Sequence, residues 1–518
     1  MSTSTQSIGL TSKQLSTSTS SHEPSSSPTT RDIDMTNSTR PGVLSTSEVD
    51  STYAQKAAAI NKAIQEIGMG RYQWGLFFTC GFGWFMDSLW QSIPGIILPV
   101  VVAELRPRRI EYLALAQNLG LAAGSLGWGL TADVVGRRWA FNLTLLITGV
   151  FGLVGGAPTT FAGVAVMVAL WSLGVGGNIP VDSAVLLEFL PGSHQWLLSA
   201  MNIWWCMGQI FGTGMAWVLF VDHTCMGTGE TECTPKKNRG WRYLLFFMGG
   251  ITLILFLIRF FLFSLHESPK FLMGQGKDDA ASISVQKLAS DNRVSTTFTT
   301  SDLASISGTT EKPHTTAHLR SLFSTPKLIR SSLIIVLMWF LTGLGFPLYN
   351  AFLPYFLSKM RAGTQKGYSD SMRDYMIILV CNIPGVFLGT AAIEIPGMGR
   401  RGVMSLGAMM TGAFLIAGTT ARTQGQLLAW NCAYSVAGTT MAGAMYAYTP
   451  EVFPTKDRGT GNGLAMAANR LGGIVAPVVA MYANLNTPVP VYVSGAMFLV
   501  AGAVMWALPF EGRGKTSL

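Results

Sequence analysis

Twelve apolar stretches, each long enough to cross a lipid bilayer, constrain the fold of this chain more than any other feature. A helix that crosses the ~30 Å hydrocarbon core at about 1.5 Å per residue needs roughly 20 mostly apolar residues. The stretches are residues 74–102, 112–132, 139–158, 161–187, 195–221, 241–265, 331–357, 375–395, 403–421, 427–449, 459–482 and 489–508. Backbone groups in lipid must bond internally, and the sequence lacks the alternating pattern of a membrane barrel. We therefore expect an all-α membrane protein with twelve transmembrane helices.

The charge content agrees with helices packed in lipid and excludes an ordinary soluble chain. Only 12% of the 518 residues are charged and 49% are hydrophobic, whereas soluble proteins carry about 25% charged residues. The net charge of +9 comes largely from Lys and Arg in connections between the stretches, where membrane topology accounts for them. The expected surroundings are therefore a lipid bilayer, and no nucleic-acid partner is indicated.

Polar segments divide the chain into five parts. We expect a disordered Ser/Thr-rich tail at 1–70, a six-helix half at 71–266, a central loop at 267–330, a second six-helix half at 331–510 and a short tail at 511–518. The basic connections that hold Arg137–Arg138 and Arg400–Arg401 place the central loop and both tails in the cytosol. We expect a monomeric, multi-pass protein of the plasma membrane.

An internal repeat relates the two halves. Gly136-Arg137-Arg138 follows the second stretch and Gly399-Arg400-Arg401 the eighth, while Glu188 and Glu451 end the fourth and tenth. Both motifs recur at an offset of 263 residues (400 − 137 and 451 − 188). Parallel repeats of this kind rock against each other around a central site, which is the architecture of an alternating-access carrier. A duplicated bundle that acts as a receptor or scaffold is the alternative, since duplication does not require transport.

Motifs at the ends of the stretches point to one family. They are Asp133-Val-Val-Gly-Arg-Arg138, Gly397-Met-Gly-Arg-Arg401, the helix ends at 180–191 and 448–459, and His266-Glu-Ser-Pro-Lys270. Together they resemble the loop and helix-end motifs of the major facilitator superfamily, and of its sugar porters in particular. Two departures stand out: His266 replaces the usual Pro, and the Arg that sugar porters carry in the fourth helix is missing near Val168 and Trp171. The second departure puts a sugar substrate in doubt.

The first stretch narrows the resemblance. Gly68-Met-Gly-Arg-Tyr-Gln-Trp74, followed by Gly83-Trp-Phe-Met-Asp87, resembles the synaptic-vesicle-protein-like branch, which has many fungal members. The resemblance implies a relation to carriers of small carboxylates such as niacin.

Charged residues at the helix ends are candidate gating groups. An Arg fork holds a carboxylate through two hydrogen bonds, and the expected set is Asp133, Arg137, Arg138, Glu188, Glu267, Arg400, Arg401, Glu451 and Arg458. We expect the arginines of the two repeated loops to pair with Glu188, Glu267 and Glu451 when this side is closed, and to separate when it opens. Topology control by positive charge is the alternative role.

Charges inside the stretches are candidate binding and coupling groups, because a charge in lipid is costly and faces a cavity or a partner. Asp87 and Arg470 both fall near mid-depth, ~20 Å and ~16 Å along their stretches. Asp87 is the candidate proton-coupling carboxylate and Arg470 the candidate anchor for an anionic substrate. Asp182 is a weaker candidate near the end of its stretch. Purely structural pairing is the alternative for each.

Amides and amphipathic aromatics form a second tier of binding candidates. They are Asn202, Trp205 and Gln209 in the fifth stretch, Tyr349 and Asn350 in the seventh and Tyr446 in the tenth. A pocket for a small solute needs such groups, although each aromatic residue also suits packing between helices.

No catalytic, metal or cofactor site is predicted. The six His residues have no paired spacing for metal, and Gly514-Lys515-Thr516 lacks the first Gly of a phosphate loop because position 509 is Pro. Cys225 and Cys233 share one polar loop, and they pair if that loop faces an oxidising compartment. The sequence therefore predicts a secondary carrier, not an enzyme, that moves a small organic solute with a proton as coupling partner. Efflux of a metabolite or drug and solute binding without transport remain alternatives.

Overall fold

The structure is a computed structural model, and it describes most of the chain. The described residues are 51–135, 137–194, 196–225, 233–261, 263, 265–306, 322–353, 367–393, 395, 398–453, 458–483 and 487–509. The side chains of Asp133, Arg137 and Arg458 lie outside the described part. The expectations for residues 1–50, 307–321 and 511–518 lie outside it as well.

Twelve helices follow the twelve apolar stretches, one for each. They are α1 (Arg71–Leu105), α2 (Glu111–Val135), α3 (Arg137–Val154), α4 (Phe161–Phe189), α5 (Asn202–His223), α6 (Gly240–Phe261), α7 (Pro326–Asn350), α8 (Gly367–Val380, continued by Asn382–Ile393), α9 (Gly399–Gly418), α10 (Gln424–Val452), α11 (Arg458–Tyr482) and α12 (Val489–Trp506). Nine segments of the described chain are long and apolar enough to cross a membrane, and α3 adds a shorter one. The predicted all-α membrane protein is confirmed.

The repeat extends to the starts of α4 and α10. The Thr160 hydroxyl accepts a hydrogen bond from the Gly163 N–H at 3.1 Å, and the Thr423 hydroxyl accepts one from the Gln426 N–H at 3.2 Å. Such caps satisfy backbone donors that a helix leaves open at its first turn. The two threonines are 263 residues apart (423 − 160), so both ends of α4 and α10 share the spacing of the repeat.

Small residues bring helices within each half into close contact. Gly120 and Gly124 of α2 lie against the backbone carbonyls of Ala169 and Leu173 in α4, where a Cβ would collide with them. Without a hydrophobic force between helices in lipid, such close approach is a main source of packing energy. Among the described residues, the most extensive contacts between the halves are those of α2 with α11 and of α5 with α8.

A small helical cap covers the end of the bundle where α1 begins, which we call the near face. It consists of the helix Ser51–Ile67 and the central-loop helices Pro269–Gly274, Asp278–Asp291 and Thr300–Ala304. The assignment of residues 51–67 to a disordered tail is therefore wrong. Apolar residues recur there every three or four positions, and Ile60 and Ile64 are buried in one cluster with Leu288, which offsets the entropy of ordering the helix.

Polar contacts fasten the cap to the bundle. Lys56 forms an ion pair of 2.6 Å with Asp278 inside the cap. The Asn292 side chain accepts from the Tyr72 N–H at 3.0 Å and donates to Gln73 at 2.7 Å, which ties the cap to the first turn of α1. The His266 ring stacks on Tyr72, with centroids 4.9 Å apart, in the segment where the family motif has Pro.

The opposite end, the far face, is held by a buried carboxylate and a disulfide. Glu104, at the end of α1, accepts from both terminal nitrogens of Arg242 at 2.8 and 3.0 Å and from Asn238 at 2.8 Å, which joins α1 to α6. A disulfide links Cys225 to Cys233, with Cα atoms 5.6 Å apart. The pairing that the sequence left open is thus present.

Truncation of the buried face of the N-terminal helix should release it from the cap. Ile64→Ala removes a fully buried side chain at a cost of about 2–4 kcal/mol, and we expect faster hydrogen–deuterium exchange throughout residues 51–67. Lys62→Ala, on the exposed face of the same helix, is the matched control and should leave exchange unchanged. Equal protection in both variants would show that the helix is not held by this contact.

Candidate substrate-binding site

A cavity of about 250 Å³ lies between the two halves. Helices α1, α2 and α5 line it from the N-terminal half, and α7, α8, α10 and α11 line it from the C-terminal half. Its polar lining consists of amides and hydroxyls from Gln91, Ser92, Gln117, Asn118, Asn202, Gln209, Thr342, Asn350, Tyr375, Asn382, Tyr434, Ser435, Thr439, Tyr446 and Asn469, together with Arg470. Because both halves contribute, any movement of one half against the other changes the shape of the cavity.

A hydrogen-bonded network organises the wall that α8 and α10 form. The Asn382 side-chain oxygen accepts from Ser435 and from Thr439, the latter at 2.7 Å. Its amide donates to Gln209 of α5 at 3.4 Å, so the network reaches across to the other half. Tyr434 donates to the Asn350 oxygen at 3.2 Å. These contacts fix the orientation of amides that a ligand would meet.

Three buried donors in the cavity wall have no hydrogen-bond partner among the described residues. They are Nε2 of Gln91, Nδ2 of Asn202 and Nε of Arg470, and all three residues line the cavity. A buried donor without a partner costs about 1–3 kcal/mol. A ligand rich in acceptor atoms would recover that energy, and the guanidinium of Arg470, only 8% exposed, supplies a positive charge at the same place.

A cluster of aromatic rings in edge-to-face contact lies between the cavity and the near face. The ring of Tyr446 in α10 is 5.3 Å from Trp84 in α1 and 5.0 Å from Trp339 in α7. Trp84 and Tyr446 belong to different halves, so their edge contact closes the gap between the halves. The Trp339 N–H donates to Thr449 at 2.9 Å, which holds its ring in place.

Asp87 is fully buried beside the cavity instead of lining it. Its Oδ1 accepts from the Asn178 amide of α4 at 2.9 Å, and Oδ2 has no hydrogen-bond partner among the described residues. Arg470 and Asp87 interact electrostatically, although no direct ion pair joins these two described side chains. Asp87 and Arg470 are therefore electrostatic neighbours on opposite halves.

Asp182, the weaker candidate near the end of its stretch, has a buried partner in the neighbouring helix α6. Asp182 is fully buried and forms an ion pair with Arg259 of α6, whose side chain is also fully buried. Sequence reasoning missed Arg259, the intramembrane cation of the N-terminal half, because it lies late in an apolar stretch and reads as the start of the basic loop. Its guanidinium carbon also lies 2.9 Å from the centre of the Phe141 ring.

The second-tier candidates divide into two groups. Asn202, Trp205, Gln209, Asn350 and Tyr446 line the cavity. Tyr349 does not line it; its hydroxyl donates to Asn431 at 2.6 Å within the C-terminal half, so its role is structural. The amides that the sequence reading passed over, Gln91, Gln117, Asn118, Asn382 and Asn469, share one signal with those it chose: each interrupts an apolar stretch.

Of the expected gating pairs, one is present among the described residues. Arg400 and Glu451 form an ion pair at the near face, between the start of α9 and the end of α10. Arg401 instead donates to the Leu508 carbonyl at 3.0 Å and lies over the Trp506 ring, so in this conformation it contacts the end of α12 and does not pair with Glu188, Glu267 or Glu451.

The remaining gating candidates are placed less completely. Arg138 is exposed, and Glu188 and Glu267 are half-buried at the near face. The side chains of Asp133, Arg137 and Arg458 lie outside the described residues. Since Arg400 and Glu451 are both in the C-terminal half, their pair braces α9 against α10 and does not by itself bridge the halves.

The family follows from comparison with known proteins. A model described as "Sugar (and other) transporter" matches residues 101–511. The chain belongs to the major facilitator superfamily. The MFS siderochrome iron transporter 1 of Ceriporiopsis subvermispora is 46% identical over 495 residues, which cover 92% of this chain and 95% of that protein. The niacin transporter NiaP of Acinetobacter baylyi is 26% identical over 468 residues, covering 88% and 97%.

The solved structures agree on the fold. The proton:xylose symporter XylE, bound to a bromodeoxyglucose, superposes with a TM-score of 0.67 at 16% identity, over 86% of this chain and 98% of the symporter. Identity at this level shows the fold alone. The superfamily consists of transporters and not enzymes, and the chain is a multi-pass membrane transporter of small solutes with two six-helix repeats.

Removal of one member of the buried pair should destabilise the bundle more than removal of both. Arg259→Gln leaves the Asp182 carboxylate buried without a counter-ion, which costs about 3–5 kcal/mol, whereas the neutral pair Asp182→Asn with Arg259→Gln costs far less. The melting temperature in detergent measures the difference. A single variant as stable as the wild type would contradict the paired geometry.

Proposed function

We propose that the chain is a proton-coupled symporter for a small organic monocarboxylate, which it moves by alternating access as a monomer. One observation carries the proposal. Three residues that line a cavity between the halves, Gln91, Asn202 and Arg470, each carry a buried donor with no partner among the described residues. The buried carboxylate of Asp87 interacts electrostatically with the guanidinium of Arg470. Arg470 binds the substrate carboxylate, and Asp87 carries the proton.

The composition of the cavity supports a carboxylate over a sugar. A sugar presents donors and acceptors in similar number, whereas the unpartnered groups Gln91 Nε2, Asn202 Nδ2 and Arg470 Nε are all donors. Arg binds a carboxylate through two parallel hydrogen bonds. The rings of Trp205 and Tyr446 in the wall suit the flat face of an aromatic acid, and niacin, which the related NiaP transports by its name, is such an acid.

Charge balance supports coupling to one proton. In the ionised state the buried groups Asp87, Asp182, Arg259 and Arg470 sum to zero. A carboxylate that enters beside Arg470 adds one negative charge, and an uncompensated charge in a low-dielectric site is costly. Protonation of Asp87 restores the sum to zero. The substrate and the proton therefore enter together, and a proton gradient drives accumulation.

A ferric siderochrome is the second candidate, because the relative from Ceriporiopsis subvermispora is named for that substrate at 46% identity. The cavity of about 250 Å³ is smaller than the ~300–1,000 Å³ that drug-sized ligands occupy. In this conformation it therefore favours a small acid over a metal chelate.

The orientation follows from chemistry at the two faces. The near face carries the repeated basic connections with Arg137–Arg138 and Arg400–Arg401, which favour the cytosol, although the far-face connections also contain Arg and Lys. The far face carries the Cys225–Cys233 disulfide, a bond that persists in oxidising compartments. We therefore place both termini in the cytosol and the far face outside the cell, with the plasma membrane as the location.

Replacement of Arg470 should weaken binding without disrupting the fold. Hydrogen bonds to a charged group contribute about 1.5–3 kcal/mol each, so Arg470→Gln should weaken nicotinate binding roughly 10–150-fold, measured by calorimetry on purified protein. The control is Arg330→Gln, an exposed arginine at the near face that bonds the Ala507 carbonyl. Unchanged affinity in Arg470→Gln would remove the anchor from the proposal, and siderochrome binding without nicotinate binding would replace it with the second candidate.

Replacement of Asp87 should separate transport from the proton gradient. In proteoliposomes with an imposed pH gradient, the wild type should accumulate radiolabelled nicotinate above the external concentration. Asp87→Asn has no titratable proton at this site, so accumulation should fall to equilibration while exchange of labelled for unlabelled substrate continues. Accumulation by Asp87→Asn equal to that of the wild type would exclude Asp87 as the coupling group.

A further inference from the structure

A chain of polar contacts continues from Asp87 into the N-terminal half, away from the substrate. Asn178 and Asp182 are one helical turn apart on α4 and therefore lie on one face. Asn178 donates to Asp87 of α1 at 2.9 Å, and Asp182 pairs with Arg259 of α6. Three helices of the same half thus contribute to one buried polar cluster.

The packing of α1 brings Arg259 close to the turn that carries Asp87. Gly83 lies four residues before Asp87 on the same face of α1. A Cβ at Gly83 would collide with the Asp182 carboxylate and would lie 3.3 Å from Nη1 of Arg259. The Asp182–Arg259 ion pair therefore occupies the space that a side chain at position 83 would fill, one turn of α1 from Asp87.

Arg259 and Asp87 both have hydrogen-bonding atoms without a partner among the described residues. Nη2 of Arg259 holds Oδ1 of Asp182, but Nε and Nη1 have no hydrogen-bond partner among the described residues. Oδ2 of Asp87 also has none in the described part of the chain. Arg259 is thus a buried cation with two nitrogens that bond no described residue. It interacts electrostatically with Asp87, a buried carboxylate with one oxygen that bonds no described residue.

Other titratable groups around the cluster come from α1, α10 and α11. Among the described residues these are Cys80 on α1, which interacts with Asp182 and Arg259, Tyr446 on α10 and Arg470 on α11, which interact with Asp87. The ring of Phe141 on α3 covers the guanidinium. Of the two cations near Asp87, Arg259 shares its half and Arg470 does not.

Alternating access creates a requirement that Arg470 alone does not meet. When the halves rock, Arg470 moves with the C-terminal half, and after substrate release the empty carrier returns with Asp87 deprotonated. An ionised carboxylate left in the bundle without a cation is strongly disfavoured. A cation that stays with Asp87 throughout the cycle has to come from the N-terminal half.

We propose that Arg259 is a positioning residue for the coupling carboxylate, an inference that rests on the proposed function. It holds Asp182 through Nη2 in the present conformation. It takes Asp87 through Nη1 when the movement of the C-terminal half carries Arg470 away from the ionised carboxylate, so that one guanidinium bridges two carboxylates. In that step the Asp87 carboxylic acid releases its proton to water at the near face, and the carboxylate is stabilised by Arg259. Asp182 keeps Arg259 in place and does not itself exchange a proton.

The test compares transport modes and pH profiles in proteoliposomes with radiolabelled nicotinate. In the double variant Asp182→Asn with Arg259→Gln, the ionised form of Asp87 loses Arg259, its partner in the N-terminal half. Net uptake should therefore fall about tenfold or more, which corresponds to raising the barrier for return of the empty carrier by about 1.4 kcal/mol. Exchange, which needs no return of the empty carrier, should stay within about twofold. The external pH of half-maximal net uptake should rise by about one unit. Arg259→Lys, which keeps the charge but lacks the fork that reaches two carboxylates, serves as the second variant if the neutral pair does not fold. A smaller shift in the same direction is expected.

The matched control removes a different ion pair of α6, the one that joins it to α1 at the far face. Glu104→Gln with Arg242→Gln eliminates the far-face pair and should leave the ratio of net uptake to exchange and the pH profile unchanged. A folded Asp182/Arg259 variant with wild-type ratio and profile would overturn the inference and reduce the pair to a structural role. Absence of gradient-driven nicotinate uptake by the wild type would instead reject the proposed function, so the two failures are distinguishable.

Discussion

Buried charge in a medium that solvates it poorly is the constraint on which the rest of this transporter depends. Asp87, Asp182, Arg259 and Arg470 are buried within the helical bundle, where an isolated charge is costly and a balanced set is tolerated. Asp182 and Arg259 compensate each other within one half. Asp87 and Arg470 belong to different halves and are only electrostatic neighbours, so the balance of the second pair depends on how the halves are arranged.

The cavity follows from the same constraint. Amides and hydroxyls are tolerated within the bundle because they bond one another, as Asn382, Ser435 and Thr439 do, or because they face a space that water or a ligand fills. The donors left over at Gln91, Asn202 and Arg470 come from both halves. A ligand that satisfies them binds the two halves together, and its departure frees them to move, which links binding to the change of access.

The near-face cap connects this chemistry to the segments that flank and join the two halves. Asn292 and His266 hold the first turn of α1, the helix that carries Trp84 and Asp87 farther along. The helix Ser51–Ile67 packs on the central-loop helices through Ile60 and Ile64. The cap therefore braces the N-terminal half as a unit, while the Arg400–Glu451 pair braces the C-terminal half, and the movement between them is left to the interface that α2, α5, α8 and α11 form.

The sequence by itself determined the helices, their grouping into two repeats and the family, because lipid demands about 20 apolar residues per crossing and the repeated Gly-Arg-Arg and Glu motifs are local. It also placed Asp87 and Arg470 at mid-depth, since depth follows from counting along a helix. It missed the helix at 51–67 inside a polar tail. Partners were decided only by the tertiary structure: Arg259 meets Asp182 across 77 residues of chain, Arg401 turns to Leu508, and Tyr349 faces Asn431 and not the cavity. Which face of a helix meets which neighbour depends on helix rotation and on small residues such as Gly83, and no local pattern encodes that choice.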